Sequence, residues 1–568
     1  MKQIPLRIFR SYRAKYYEDD ILQGPTAYPQ EYFEELAKNG FNAVWLRAIL
    51  RDLAPSNVFP TIGHDIARHQ NALGTVIERG ARHGVKVMLY FNEPLCLPQD
   101  NPFWAEHPEV RGASGDSMMD EWPKTYTFCT STPQVRQFIR EGMARVFKDL
   151  PSLGGWFTIV GSEHHTHCYS HIFDGAKGGK PDCPRCAQRT PSEVAAQLMT
   201  DMRDGTRQSS QSAEMIAWNW AWHILEDDPQ RQLLSLLPKD MTVLVDWERG
   251  GWRNMPSGKR NWIDEYSLLY VGPSERFEAT AEEVRKNGLS LVTKLQVGTT
   301  HELSDVPNLP LIDNLYEKLC RVENMGLRGL LATWNFGNMF TFNTAAVGRF
   351  VHTTERPSPH QFVTEVAAEY FPNCDDKGVA AAVGEFTAAM QYYPFDEHLI
   401  YWGPINYAMA YPLTSAPLTG KSMGWSWVMH ERGDDLEPTL RQFTLDEVIA
   451  SFDALVAQWR PAIANYAHAL AGCKEPQAKL ELGVAKMIGC AYRSTANVYK
   501  TYKLRKERPA DLEAQFAAVA ADEIANLEEA LPLLKADSRL GFHAECQAYM
   551  FSAELVEAKL KALRSGWA

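Results

Sequence analysis

Several features are missing from this chain of 568 residues, and each absence removes a class of function. No run of about 18 apolar residues occurs, so no membrane-spanning helix and no membrane partner are expected. The opening MKQIPLRIFRSYRAKYYEDD has no apolar core of about 7 to 15 residues such as a secretory signal needs. A cytoplasmic protein is expected, or a secreted one already freed of its signal. Basic residues are outnumbered, 58 Lys and Arg against 70 Asp and Glu, and the net charge of -12 is spread along the chain. With no basic stripe to meet a phosphate backbone, nucleic acid is not an expected partner. The ten cysteines include isolated ones in helical patterns, such as Cys320 and Cys490, and do not form a disulfide framework. Reduced thiols are the expectation. No glycine-rich phosphate loop follows any apolar run, which argues against a nucleotide-binding open sheet.

What remains, 45% hydrophobic and 23% charged residues, is the composition of an ordinary globular protein. Single cores seldom exceed roughly 250 to 300 residues, so two or three units are expected. Five times an amphipathic stretch ends in Gly and gives way to an apolar, β-rich run: NG before FNAVWL, HG before VKVMLY, GG before WFTIV, NG before LSLVTKL, MG before LRGLLATW. Gly40, Gly84, Gly155, Gly288 and Gly326 are therefore read as helix C-terminal caps, where glycine takes positive φ cheaply. The stretch after Thr132 and Pro133 has helical spacing at Val135, Phe138, Ile139, Met143, Val146 and Phe147. With PLRIFR, EMIAWNW and MTVLVDW added, eight strands alternate with helices, which predicts a (β/α)8 TIM barrel over residues 1–352. Residues 353–438 read as a linker and an aromatic-rich loop near the barrel mouth, and 439–568 as an α-helical bundle. Its alanine-rich faces would suit either internal packing or a homodimer.

In a barrel of this class the chemistry sits at the C-terminal ends of the strands. Here those ends carry Arg10, Arg47, Asn92 with Glu93, Ser162 with Glu163, Trp218 with Asn219 and Trp220, Asp246 with Trp247 and Glu248, Lys294 with Gln296, and Trp334 with Asn335. Carboxylates beside tryptophans suit a saccharide, whose ring face packs on indole while its hydroxyls need polar partners. Cleaving a glycosidic bond requires a proton donor, and Glu163 is the best placed for it. The expected substrate is an oligosaccharide or glycoconjugate.

The stretch GWFTIVGSE, following the TSTPQVRQFI helix, resembles the fourth-strand motif of the β-N-acetylhexosaminidase barrels, glycoside hydrolase families 20 and 123 and their relatives; the resemblance covers roughly residues 1–350. It implies that Glu163 is the general acid of a retaining, exo-acting enzyme in which the acetamido oxygen of the substrate is the nucleophile. Tryptophans would enclose that group, with Trp218, Trp220, Trp247 and Trp334 as candidates. N-acetylgalactosamine is favoured, with Arg10, Arg47, Glu93 or His165 reading the 4-hydroxyl. Family 20 has Asp before the acid where this chain has Ser162. A hydroxyl cannot balance the charge that develops, so Asp246, Glu248 or Asn219 would have to. If none reaches the site, a protein carboxylate such as Asp246 or Glu93 would be the nucleophile.

After Glu163 the chain reads HHTHCYSHIFDGAKGGKPDCPRCAQR. Cys183 and Cys186 form a C-x2-C knuckle, and with Cys168 and either Cys129 or His171 they match a structural zinc site. No cofactor is expected in catalysis itself. Two other readings compete: a metal-dependent deacetylase or amidohydrolase using His164, His165, His167 and Asp246, and a glycan-binding module without activity.

Overall fold

The structure is a computed structural model and describes residues 4–115, 123–161, 163–170, 179–427 and 433–565. Eight parallel strands close into a barrel: β1 (Leu6–Phe9), β2 (Ala43–Ala48), β3 (Lys86–Phe91), β4 (Gly155–Ile159), β5 (Glu214–Trp218), β6 (Thr242–Asp246), β7 (Ser290–Lys294) and β8 (Gly329–Leu331). Each pairs with its neighbours in sequence, and β8 returns to β1 through Leu6 opposite Gly329. The closed (β/α)8 barrel expected from the alternation is present. Its strands are apolar on both faces because helices cover the outside and side chains fill the inside.

The helix over Pro133–Asp149 buries the face its spacing predicted. The helix over Pro191–Ser209 begins with a capping box, Thr190 and Glu193 each satisfying the other's backbone N–H. Gly40, Gly84, Gly288 and Gly326 follow helices with φ of +80, +67, +68 and +65, as a left-handed exit requires. Gly155 does not: its helix ends at Asp149, and Gly155 is the first residue of β4 with φ +147. There it lies opposite Glu214 of β5, so close that a Cβ would stand 2.1 Å from the Glu214 carbonyl oxygen. The glycine lets two strands meet rather than ending a helix.

Beyond the barrel helix Phe342–His352 the chain is helical. Residues 353–438, expected as linker and loop, also contain helices over Pro359–Tyr370 and Asp376–Met390. Both join the bundle built from Leu445–Leu470, Pro476–Glu507, Leu512–Ala536 and Ala553–Arg564. Among the described residues no helix is long and apolar enough to cross a membrane. The bundle is fastened to the barrel through buried Glu481, which accepts from Asn308 Nδ2 at 3.0 Å and from the Phe342 backbone N–H at 3.0 Å. A short antiparallel pair, Phe542–His543 with Ala548–Tyr549, interrupts the last helices. It docks on the barrel where the Gly541 N–H donates to the Asp305 carbonyl at 2.8 Å.

Gly155→Ala should cost roughly 3 kcal/mol or more, because the left-handed φ and the contact with Glu214 cannot both relax. Thermal unfolding of the variant checks this; an unchanged midpoint contradicts the close β4–β5 approach.

Candidate active site

The barrel mouth opens into a pocket whose walls come from both regions of the chain. Its floor is aromatic. Trp45 of β2 stacks on Trp334 beyond β8 at 4.8 Å between centroids, and Trp218 of β5 meets Trp334 edge-on at 5.0 Å. Tyr90 of β3 stacks on Phe157 of β4 at 4.9 Å. Trp45 and Tyr90 stand two residues before Arg47 and Asn92, as the strand period requires of side chains on one face. Trp218, Trp220 and Trp334 line the pocket.

Glu163 lies just past β4 with φ +61, a left-handed conformation uncommon for a side chain of its size. Its Oε2 accepts from the Tyr16 hydroxyl at 2.8 Å and from the Tyr90 hydroxyl at 2.6 Å. Among the described residues Oε1 has no hydrogen bond, and the carboxyl lines the pocket. Burial raises its pKa, opposed by the two phenols and by Arg47. Burial also raises both tyrosines, and the Glu163 charge adds to it, so they remain donors.

Two more carboxylates face the same space, and neither was found in the sequence. Glu545, in the turn between Phe542–His543 and Ala548–Tyr549, accepts from Trp427 Nε1 at 2.8 Å. Burial pushes it up to about 7, and the nearby Glu163 charge adds to the shift. Glu265 accepts from the Tyr401 hydroxyl at 2.9 Å, with Arg249 at 4.0 Å and His301 at 3.9 Å; burial pushes it up to about 8. Tyr401, Trp425 and Trp427, from the aromatic-rich segment, close the pocket opposite the barrel floor.

The sequence-predicted residues divide. Asp246 does not line the pocket; its Oδ1 accepts from Trp218 Nε1 at 3.0 Å, with Arg249 at 3.6 Å, so it fixes the indole wall from behind. Arg47 lies beside Tyr16, donating to its carbonyl oxygen at 3.3 Å, and Asn92 donates to the Tyr90 hydroxyl at 3.0 Å. Both therefore act on the partners of Glu163. Asn219 is buried next to Trp218, its Oδ1 without a hydrogen-bond partner among the described residues. Asn335 is buried beside Glu545.

Five expectations of substrate contact are corrected. Arg10 is fully buried, ion-paired to Asp20 at 2.8 Å with its guanidinium 3.9 Å above the Trp45 ring. Glu93 accepts backbone N–H bonds from Leu50 at 2.6 Å and Leu95 at 3.3 Å, holding the β2 and β3 loops together. Trp247 donates to the Val271 carbonyl at 2.8 Å and packs on Phe277 outside the barrel. Glu248 is paired to Lys318 at 2.6 Å, both wholly buried. His165 turns to Thr125 Oγ1 at 2.8 Å. Ser162 and His171 lie outside the described residues.

The histidines do not gather around a point: His164 meets the Tyr16 hydroxyl at 3.3 Å, His165 meets Thr125, and His167 Nδ1 accepts from the Tyr169 N–H at 3.1 Å. Among the described residues the group able to hold a metal is instead Cys129, Cys168, Cys183 and Cys186, all buried, with every Sγ within 4.8 Å of the others. The metal-hydrolase arrangement of His164, His165, His167 and Asp246 is thereby corrected. What could be found in sequence was the indole and carboxylate content of the strand ends. Tyr16, Glu265, Tyr401, Trp427 and Glu545 sit in loops and in the bundle, where no period marks them.

No family model matches the chain, and no curated protein matches it. Among solved structures, α-L-fucosidase isoenzyme 2 from Paenibacillus thiaminolyticus is 14% identical over 67% of this chain and 56% of its own, with a TM-score of 0.35. A GH20 exo-β-N-acetylglucosaminidase from Vibrio harveyi is 10% identical over 65% and 57%, with a TM-score of 0.36. A β-mannanase from the blue mussel Mytilus edulis is 10% identical over 62% and 94%, with a TM-score of 0.34. This chain spans little more than half the length of the first two. At such scores the architecture is read from the strand order of the chain itself.

Proposed function

We propose that this chain is a glycoside hydrolase that removes a terminal sugar from an oligosaccharide or glycoconjugate, with Glu163 as general acid and base. The observation that carries this reading is the asymmetry of that carboxyl: Oε2 is anchored by two phenols, while Oε1 accepts no hydrogen bond among the described residues, and the carboxyl lines an indole-walled pocket. A carboxyl so fixed presents its acid oxygen in one direction, which leaving-group protonation requires. A sugar ring packed on Trp218 and Trp334 would bring its glycosidic oxygen toward Glu163. A floor closed by Trp45 and Trp334 favours terminal over internal cleavage.

In the finer reading the sugar is a β-linked N-acetylhexosamine, N-acetylgalactosamine favoured, whose acetamido oxygen attacks the anomeric carbon with overall retention. The strand-four motif and the indole walls support it. Asp246 would serve by holding Trp218, and the unsatisfied Oδ1 of Asn219 is the polar group nearest that wall in sequence. A second reading has its own support in Glu545. This carboxylate shares the pocket and the electric field of Glu163 and would be the nucleophile for a sugar lacking an acetamido group.

Release of p-nitrophenol from the β-N-acetylgalactosaminide, the β-N-acetylglucosaminide and the β-galactoside separates the two. Turnover of the acetamido sugars alone is expected; cleavage of the galactoside moves the nucleophile to Glu545, and silence on all three overturns the reading for these sugars.

Glu545 is protonated below about pH 7 and carries its charge above it. Activity should therefore rise through neutrality, since only the ionised form stabilises an oxocarbenium-like state. Glu545→Gln should flatten that limb and lower kcat about a hundredfold. A profile with the limb intact in the variant contradicts a role for this residue.

A further inference from the structure

The thiol cluster lies apart from the pocket, yet it belongs to the loop that carries Glu163. We propose that Cys129, Cys168, Cys183 and Cys186 bind one zinc ion as four thiolates, and that this ion clamps the loop after β4 to the sheet beside it. The four residues come from three separate stretches: the end of the strand Thr125–Phe128, the segment following Glu163, and the turn before the helix Pro191–Ser209. Unrelated segments seldom bring four cysteines to one buried point by packing alone. Sγ of Cys129 lies 3.6 Å from that of Cys183 and 3.7 Å from that of Cys186. A tetrahedron with Zn–S bonds of about 2.3 Å has edges of about 3.8 Å, so these separations suit a shared ion.

The surroundings supply what a tetrathiolate site requires. Zinc with four thiolates carries net negative charge, and Arg185 Nε donates to Cys129 Sγ at 3.2 Å. The Ser131 hydroxyl lies 3.2 Å from Cys186 Sγ and the Thr127 hydroxyl 3.6 Å from Cys168 Sγ, the outer hydrogen bonds that orient metal ligands. All four positions have protein ligands, so no place is left for water or substrate, and the site is structural. The stretch PDCPRC has little else to fold it, with one short 3-10 turn over Cys186–Gln188.

The effect on the pocket follows from the chain path. Cys168 is five residues after Glu163. Between them the His165 carbonyl accepts from the Cys96 N–H at 3.0 Å, and its ring meets Thr125. An ion at Cys168 would complete a two-point attachment of this segment, just where Glu163 adopts its left-handed φ.

The test is the metal content of the full-length protein purified without chelator, together with thiol titration. We expect about one zinc per chain, and in Cys183→Ser a fall to less than about one-fifth of that, with Cys320→Ser unchanged as control. Titration with a monofunctional mercurial should release one zinc as four of the thiolates exchange their Zn–S bonds for Hg–S bonds in the unaltered protein, a readout that stands even if Cys183→Ser does not fold. Folded protein without metal overturns the proposal, as does zinc retained in full by Cys183→Ser. Iron in its place, or fewer than ten free thiols after denaturation in a chelator, also overturns it. None of these outcomes depends on turnover, so the zinc site and the glycosidase reading stand or fall separately.

Discussion

Two phenol hydroxyls on one oxygen of Glu163 are the contact around which the barrel mouth is arranged. Tyr16 comes from the loop after β1, Tyr90 from β3 and Glu163 from the end of β4, so three parts of the barrel must be in register for the contact to exist. The supports of each partner can be traced outward. Asn92 holds the Tyr90 hydroxyl, Arg47 holds the Tyr16 backbone, and the Trp45 ring stands edge-on to both tyrosines. A left-handed φ at a glutamate costs of order 1 to 3 kcal/mol and persists only when its surroundings over-determine it. Here they do, and the result is a carboxyl with one oxygen fixed and one available.

The pocket is not a property of the barrel alone. Tyr401 reaches Glu265 and Trp427 reaches Glu545, so the bundle region supplies both a wall and a carboxylate. That the two regions hold this geometry follows from buried polar contacts between them. Glu481 receives two donors from the barrel side, and Gln547 Nε2 donates to the Tyr12 carbonyl at 3.3 Å, next to the loop that carries Tyr16. Low dielectric strengthens such contacts and makes each unpaired group costly, which keeps the two regions in one arrangement.

The barrel was legible because its signals are local: an apolar run, a preceding glycine and a helical face recur within about thirty residues. Eight strands followed from that rhythm, and Gly155 was misread only because a glycine needed for strand contact looks like one that ends a helix. The strand ends were legible in part. Alternation holds while the ladder lasts, which is why Trp218, the last residue of β5, faces the pocket; it lapses one or two residues later, so Trp247 and Glu248, beyond the last residue of β6, turn outward to Phe277 and Lys318, while Glu163, past the end of β4, is aimed by its left-handed φ and the two phenols. Arg10 looked like a strand-end ligand because its partner, Asp20, is the first residue of the short helix Asp20–Ala27, with no pattern to announce the pair. Glu545 was hidden for a different reason. It lies some 380 residues from Glu163 in sequence, in a stretch, GFHAECQAYM, whose one signal is that it breaks the helical period of the bundle.

In the proposed reaction Glu163 delivers a proton from Oε1 to the departing oxygen. That transfer is tested most directly by comparing Glu163→Gln with the unaltered protein on one sugar carrying leaving groups of graded acidity. A proton donor at this position should leave kcat/KM near normal for a dinitrophenyl leaving group, which needs no proton, with losses that grow to several orders of magnitude as the leaving group becomes more basic. An equal loss on every leaving group would contradict it.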